Sequence, residues 1–241
     1  MKYAVIKQEA GLGDIFFLQK AAKTLINNGY KVIWPVQSNF AYLSKYIMHP
    51  NLVIVDETTD FEFKDVYTKD EKGLCQYEID GAEVLWIPFK YAPGYPGMKA
   101  KYPLLGLNSN NWEKYFKFNR DKTREKQLKE KYEIQDGEEF VFVNNLFASP
   151  PNMLERPVSV NTDKKIIYND GQPCHIFDYC WLFENASEIH SIESAFCYLV
   201  EVLDTKAKLF MYSRILPNGT HQHPNFDYVD HIYKKSWTKI Q

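Results

Sequence analysis

The chain has 241 residues, of which 45% are hydrophobic and 25% are charged, and its formal net charge is −2. This length allows one large domain or two small ones, and the composition is that of a globular protein with a proper core. The near-neutral charge excludes a general electrostatic attraction to nucleic acid, although local basic clusters can still bind it. Aromatic residues make up 16% of the chain, and we expect most of them to fill the core.

The cysteines and the start of the sequence bear on the compartment. The four cysteines, at positions 75, 174, 180 and 197, show no metal-ligand spacing. Lys2 leads directly into an apolar run without the regions of a signal peptide, and no apolar run approaches the length of a membrane span. We therefore expect a reduced, cytoplasmic protein. His221-Gln222-His223 is the only metal-like spacing, and without a third ligand nearby it predicts an exposed loop.

The first elements form a strand, a turn and a helix. The apolar run 3–6 is short enough to be a strand buried on both faces. After the turn 10–14, apolar residues recur at positions 15, 18, 22 and 25, which is helical spacing. Asn28-Gly29 predicts the end of this helix, and 31–36 is the next strand. Such a unit nearly always forms a parallel sheet with a right-handed crossover.

The turn between the first strand and the helix is the first candidate ligand site. We expect Gly11 and Gly13 to let the backbone turn tightly and to leave space above the carboxyl end of the strand, where open α/β sheets bind ligands. Asp14 is a favourable N-cap residue, so its carboxylate is expected at that crevice. A dinucleotide fingerprint is not matched, because Phe16 occupies the position of its third glycine.

The remaining elements indicate two α/β units. In the first, a helix is predicted at 41–47, a strand at 52–55, a short amphipathic helix at 112–118 and a charged helix with a solvated face at 121–132. Asp80-Gly81 predicts a hairpin between 74–79 and 82–87, although 84–87 equally fits the next parallel strand. The loop 91–103 is rich in Pro, Gly, Tyr and Lys, and a loop of this length is usually functional or mobile.

A linker is predicted at 134–139, which divides the chain into domains 1–135 and 136–241. Beyond it, strands are predicted at 140–143, 165–168, 188–190 and 208–212, and helices at 176–184 and 195–203. The tail from 228 to 237 is aromatic and basic.

Two motifs resemble the heptosyltransferases and related GT-B glycosyltransferases. These enzymes start with a strand, a G-x-G-D turn and a helix, as in Gly11-Leu12-Gly13-Asp14 here. Their donor domain carries a helix of the type D-x-x-x-L-x-x-x-A, a short strand and an acidic-Ser turn, and the stretch 177–196, FDYCWLFENASEIHSIESAF, is similar. The chain departs from the family in its shorter second half and in Ala195-Phe196, where the family usually has Gly-Pro and then His.

The resemblance implies a compact, divergent GT-B-like transferase, with two Rossmann-like α/β domains facing a cleft and a small second domain. It implies transfer of a hexose or pentose from a nucleotide sugar to a glycan hydroxyl, with Asp14 as the general base. The alternative for Asp14 is a helix cap that touches no substrate. The resemblance also implies that no metal ion or other cofactor is needed, and no D-x-D pair points to a metal-dependent enzyme.

The donor is expected at the second domain. The amides that open the helix at 194 would bind the diphosphate, Ser191 and Ser194 would add hydroxyl donors, and Glu193 would accept from sugar hydroxyls. Ordinary helix capping accounts for both serines equally well. Asn144 and Asn145 follow the first strand of this domain and are expected at the same site. The candidates for neutralising the diphosphate are Arg156, Lys164 and Arg214, of which Arg214 directly follows a predicted strand end.

Two alternative functions stay open. In one, the acceptor is a modified DNA base, and the basic, aromatic loop 91–102 and tail 233–239 hold phosphates and stack bases. In the other, the chain is a non-catalytic module that binds a nucleotide or a glycan. The sequence does not disclose the sugar, the nucleotide, the acceptor or the oligomeric state.

Overall fold

The computed structural model describes residues 1–8, 11–70, 73–89, 97–149, 152–171, 175–222 and 226–241. The contacts within the chain divide it into two compact units, Met1–Asn119 and Arg120–Gln241. The charged helix predicted at 121–132, before the linker, belongs to the second of these units. The α/β class with parallel sheets is confirmed, and each unit contains one five-stranded sheet. Within the described residues, no helix has both the length and the apolar character needed to cross a membrane.

The first unit is built on a sheet with the strand order β3-β2-β1-β5-β4. Its strands are β1 (Lys2–Lys7), β2 (Tyr30–Val36), β3 (Leu52–Asp56), β4 (Cys75–Ile79) and β5 (Ala82–Pro88). Its helices are α1 (Leu12–Phe17), α2 (Gln19–Asn27) and α3 (Lys64–Tyr67), with short 3-10 helices at Ser38–Lys45, Gly97–Ala100, Pro103–Leu105 and Trp112–Lys114. All neighbouring strands are parallel except β4, which runs antiparallel to β5.

The helical pattern after β1 is confirmed, with one difference. The four apolar positions at 15, 18, 22 and 25 are all buried. However, Leu18 has φ −81° and ψ 0°, so the predicted single helix is two helices, α1 and α2, that meet at this residue. Gly29 has φ +86°, a conformation that glycine adopts at little cost, and α2 ends before it as predicted.

The two interpretations of residues 74–87 are both correct. Strands β4 and β5 form the hairpin, and the two residues of its turn, Asp80 and Gly81, have φ +50° and +75°. Strand β5 also pairs in parallel with β1, so it is the next strand of the parallel sheet as well. By contrast, the helix expected at 112–118 is only the 3-10 turn Trp112–Lys114, and the helix expected at 41–47 is a 3-10 helix.

The second unit is built on a fully parallel sheet with the order β14-β11-β10-β6-β9. Its strands are β6 (Phe140–Asn144), β9 (Lys165–Tyr168), β10 (Glu188–Ile192), β11 (Lys208–Tyr212) and β14 (Trp237–Ile240). Two small hairpins pair β7 (Leu146–Ser149) with β8 (Asn152–Glu155) and β12 (Arg214–Ile215) with β13 (His221–Gln222). Its helices are α4 (Lys122–Lys131), α5 (Cys180–Asn185), which follows a 3-10 turn Ile176–Tyr179, and α6 (Ala195–Val202).

The strand order of the second unit locates its ligand crevice. The chain builds β6, adds β9 on one side and then returns to add β10 on the other side of β6. In open α/β sheets of this arrangement, ligands bind at the carboxyl ends of the two strands between which the order reverses. The corresponding edge here is formed by the ends of β6 and β10. In the first unit, β1 and β5 are the equivalent pair.

The core of the second unit is aromatic, as expected for most of these residues. Phe142 of β6 makes edge-to-face contacts with Phe183, Tyr179 and Phe196, with ring centroids 5.0, 5.6 and 6.0 Å apart. Such contacts stabilise a core beyond the burial of area alone. Phe196 therefore packs against the sheet.

Candidate functional site

Asp14 lies in the first turn of α1, beyond the carboxyl end of β1, and its side chain is 18% exposed. The N-cap of α1 is Gly11, so the prediction that Asp14 caps the helix is wrong. A carboxylate in the first turn is still favourable, because the free N–H groups give this end of a helix a partial positive charge. The carboxylate thus faces the end of the first sheet without being used as a cap.

Lys101 holds Asp14 in place. The Nζ atom of Lys101 lies 2.8 Å from Oδ1 of Asp14 and donates to Oε1 of Gln8 at 2.7 Å. The lysine side chain is only 6% exposed, and a buried ammonium group requires such partners. Gln8 directly follows β1, so Lys101 ties the carboxylate to the end of the central strand. Sequence reasoning placed this lysine in a loop and did not connect it with Asp14.

The two glycines of the turn have ordinary backbone positions. Gly11 has φ −72°, which any residue adopts, and Gly13 lies inside the first helical turn. The backbone therefore turns at Gly11 without a conformation that is special to glycine. A Cβ atom added at Gly11 would meet no atom of the described residues within 4 Å, so these residues leave the space above it open.

Asn144 is the centre of the second crevice. It is the last residue of β6 and is fully buried. Its Nδ2 group donates to the hydroxyl oxygens of Ser191 and Ser194, both at 3.2 Å, and its Oδ1 accepts from Asn169 at 2.8 Å. The amide therefore joins the end of β6 to the end of β10 and to the start of α6. Three residues that the sequence predicted for the donor site are brought together here.

The two serines of this network differ in exposure. Ser191 is fully buried and its hydroxyl donates to the carbonyl of Ile192 at 2.8 Å, so it orients Asn144. Ser194 is half-buried at the N-cap position of α6, and its side chain makes no capping hydrogen bond. Asn145 lies apart from the network, because its Nδ2 donates to Glu155 at 2.6 Å.

Glu193 and Arg214 form a neutralised pair. Oε2 of Glu193 lies 2.8 Å from Nη2 of Arg214, and Oε1 accepts from the hydroxyl of Tyr233 at 2.7 Å. Nε of Arg214 donates to the carbonyl of Glu193 at 2.7 Å. Burial works against the charge of Arg214, but Glu193 and the neighbouring phenols hold its pKa above the ordinary value. The structure therefore brings these two predicted donor-site residues together as partners of each other.

Arg156 crosses the carboxyl end of β10. Its backbone N–H donates to the carbonyl of Asn145, beside the end of β6, at 2.9 Å. Its Nη1 donates to the carbonyl and to Oγ of Ser213, directly after β11, at 2.5 and 2.9 Å. Because β10 lies between β6 and β11, the side chain passes over the end of β10. The residue is 9% exposed.

His221 is not in an exposed loop. It is half-buried in β13, and its Nδ1 lies 2.9 Å from Oγ of Ser213. His223 lies outside the described residues. In the part of the chain that the structure describes, no group of three or more His, Cys, Asp or Glu side chains is placed to hold a metal ion.

The described aromatic residues that were expected to bind DNA are buried. In the loop 91–102, residues 91–96 lie outside the described part, and Lys101 is buried in its pair with Asp14. In the tail, Tyr233 and Trp237 are 8% and 9% exposed, and the indole of Trp237 donates to Glu201 at 2.7 Å. These aromatic rings are core residues, so they do not offer faces on which bases could stack.

The parallel sheets with polar side chains at their carboxyl ends define a Rossmann-like α/β protein. The fold is similar to that of the crystal structure of a glycosyl transferase family 9 protein from Veillonella parvula DSM 2008, with a TM-score of 0.52 and 8% identity over 87% of this chain and 80% of that chain. The sequence matches no protein-family model and no curated protein at a significant level. At this identity, the structural similarity shows the fold.

Proposed function

We propose that this chain is a glycosyltransferase of the GT-B type, which moves a hexose or pentose from a nucleotide sugar to a glycan hydroxyl. The observation that carries the proposal is the position of Asp14. A partly exposed carboxylate lies at the carboxyl end of the first β-strand, in a fold similar to that of a protein described as a glycosyl transferase. The proposal assigns the general base to the first unit and the donor to the second.

Asp14 has the contacts that a general base needs. The ion pair with Lys101 engages Oδ1, and among the described residues no bond engages Oδ2. In the proposed reaction, Oδ2 takes the proton of the acceptor hydroxyl while the oxygen of that hydroxyl bonds to the anomeric carbon of the donor sugar. The bond from that carbon to the donor diphosphate breaks, and the nucleoside diphosphate leaves with the electron pair. Lys101 fixes the carboxylate during this step.

At the ends of β6 and β10, the second unit offers uncharged hydrogen-bonding groups for the donor. Its crevice contains the Asn144 amide and the Ser194 hydroxyl, which donate and accept hydrogen bonds without carrying charge. Helix α6 starts at Ala195, directly beyond the end of β10, and the N–H groups of a helix start favour phosphate oxygens. In this proposal the diphosphate is held by protein donors, and no metal ion is required.

A thermal-shift screen against nucleotide sugars, followed by a transfer assay, tests the proposal. A donor at about 100 times its dissociation constant should raise the unfolding free energy by about 2.7 kcal/mol, which is readily measured. The positive donor is then incubated with glycan acceptors, and release of nucleoside diphosphate is followed. Binding without release or transfer would favour the non-catalytic module, and the absence of any shift would reject the proposal.

A further inference from the structure

We infer that Arg156 is the anion-binding residue of the second unit and that its ligand is a phosphate or diphosphate group, held over the carboxyl end of β10. The inference rests on the proposed function in one respect: a nucleotide sugar carries such a group. The charge, the unused donors and the position of Arg156 support it without reference to sugar transfer.

Among the described residues, no carboxylate balances the charge of Arg156. The chain has four arginines, and the other three each pair with a carboxylate: Arg120 with Glu125 and Glu184, Arg124 with Asp178, and Arg214 with Glu193. Arg156 is the most buried of the four, yet no described carboxylate lies within 4.0 Å of it. Because a buried charge is costly without a partner, an anion from outside the chain is the missing partner.

The surroundings of Arg156 agree with this reading. Its guanidinium lies 5.5 Å from the ring centre of Tyr212, and its Nη1 is bonded to Ser213, so the contacts that hold it are neutral. Burial lowers the pKa of Arg156, whereas carboxylates hold the pKa of Arg120 and Arg214 above the ordinary value. In the described part of the chain, the groups that contact this cation are therefore uncharged.

Donor groups of Arg156 remain for a ligand. A guanidinium carries five N–H donors, and the bonds to Ser213 use only Nη1. Neither Nε nor Nη2 donates to a described residue. A planar pair of this kind binds two phosphate oxygens at once, which is the geometry in which arginine exceeds lysine.

The position of Arg156 places a bound anion where this type of sheet binds ligands. The side chain runs from the end of β6 to the end of β11 and so passes over β10. Helix α6, with eight residues, starts three residues after β10 ends, and its first N–H groups add donors at the same edge.

The two other candidate cations are already neutralised. Two nitrogens of Arg214 are engaged by Glu193, and Lys164 lies 3.0 Å from Glu139. Of the three basic residues that the sequence offered for the diphosphate, Arg156 is therefore the one whose charge is available.

The test uses the full chain with inorganic pyrophosphate and a nucleoside diphosphate as probes, by calorimetry and thermal shift at low salt. We expect both probes to raise the Tm of the wild type. In Arg156→Met the shift should be lost and the affinity should fall by about 10- to 100-fold, as for the loss of charge-assisted hydrogen bonds. Lys164→Met, the matched control, should keep the wild-type affinity. Without a probe, Arg156→Met should melt within a few degrees of the wild type or above it, because an unpaired buried charge is removed.

A second variant guards against misfolding. Arg156→Lys keeps the charge but loses the fork of donors, so we expect an affinity between those of the wild type and Arg156→Met. Unchanged pyrophosphate affinity in a folded Arg156→Met or Arg156→Lys protein, or no binding by the wild type, would overturn the inference. Anion binding that depends on Arg156 without sugar transfer would leave the inference standing and reject the glycosyltransferase. Sugar transfer together with unchanged donor affinity in Arg156→Met would support the glycosyltransferase and overturn the inference.

Discussion

In the first unit the groups at the end of β1 are charged, whereas in the second unit the groups at the end of β6 are neutral. In the first, the ammonium group of Lys101 lies against the carboxylate of Asp14. In the second, the amide of Asn144 joins the hydroxyl groups of Ser191 and Ser194. A carboxylate takes up and releases a proton, whereas amides and hydroxyls at neutral pH only exchange hydrogen bonds. The proposed function therefore assigns proton transfer to this strand-end position in the first unit and donor binding to it in the second.

The largest effect that this comparison predicts is on the rate of transfer. Asp14→Asn keeps the shape of the side chain but removes the base, and we expect the rate to fall by about a hundred- to ten-thousandfold. Donor affinity should stay near that of the wild type, because the donor is assigned to the second unit. Loss of the partner of Lys101 should lower the unfolding free energy by about 1–3 kcal/mol, which urea unfolding would measure.

Asp65→Asn is the control for this variant. Asp65 also lies in the first turn of a helix of the first unit, and it is exposed. Its substitution should leave the rate unchanged. Transfer by Asp14→Asn at nearly the wild-type rate would show that proton transfer does not belong to the first crevice.

The next effect is on stability and concerns two adjacent asparagines. Asn144→Ala should lower the unfolding free energy by about 2–3 kcal/mol, because it removes a hydrogen-bond partner of the buried Ser191 hydroxyl and of the half-buried Asn169 amide. Asn145→Ala removes a single bond to the exposed Glu155 and should cost less than about 1 kcal/mol. Urea unfolding of both variants measures the difference. Equal losses would mean that the neutral network is not what holds the second crevice together.

The features of the two units that the sequence could predict are those set by residues close together in the chain. The strand, the helical stretch and the strand from β1 to β2 follow from apolar spacing and from Gly29, all within about one supersecondary unit, whereas the division of the helix at Leu18 does not. The ambiguous run 84–87 and the unpredicted strand β14 show the limit. Strand β14 has only four residues, of which Trp237 alone is buried, so its pattern carries little information without its neighbour β11.

The chemistry of the two crevices was harder to predict, because it depends on distant partners. Lys101 bonds to Gln8 across 93 positions of the chain, and Tyr233 bonds to Glu193 across 40. No local pattern in the sequence indicates that either pair of residues is in contact. The helix motif that resembles the donor-domain signature is partly structural: its Asp178 accepts two bonds from Arg124 and caps its own helical turn.

A smaller expected effect is the dependence of stability on pH, which differs between the units because of their histidines. His190 is buried in the second unit, between Glu188 at 3.2 Å and the hydroxyl of Tyr212 at 2.9 Å, whereas the single histidine of the first unit, His49, is only half-buried. Burial lowers the pKa of His190 below its ordinary 6.5, although Glu188 opposes this. As the pH falls below 6.5, the unfolded chain takes up a proton that the folded chain excludes, so stability falls.

His190→Gln should therefore lose less stability than the wild type between pH 7 and pH 5.5. Urea unfolding of both proteins at the two pH values measures this difference. The pKa of Glu188 is lowered, so the stability that this carboxylate contributes is lost only as the pH falls below its ordinary pKa of 4.5, outside this window. The raised pKa of Glu201 acts in the opposite direction, but equally in both proteins. Parallel losses in the wild type and the variant would contradict the prediction.

The smallest expected effect is that of a chelator. Because protein donors are proposed to hold the diphosphate, transfer measured in excess chelator should match the untreated rate. Activity that disappears in chelator and returns with magnesium or manganese would show that the donor is held through a metal ion instead.

Strand β14 makes the order of synthesis matter for the second unit. The carboxylate of Glu201 is buried and accepts from the backbone of Lys234 and Lys235 and from the indole of Trp237. Until these residues leave the ribosome, a nascent second unit has an open sheet edge at β11 and a carboxylate without its partners. The first unit is complete at residue 119. At about 5–20 residues per second, it has roughly 6–24 s to fold before the second unit can close.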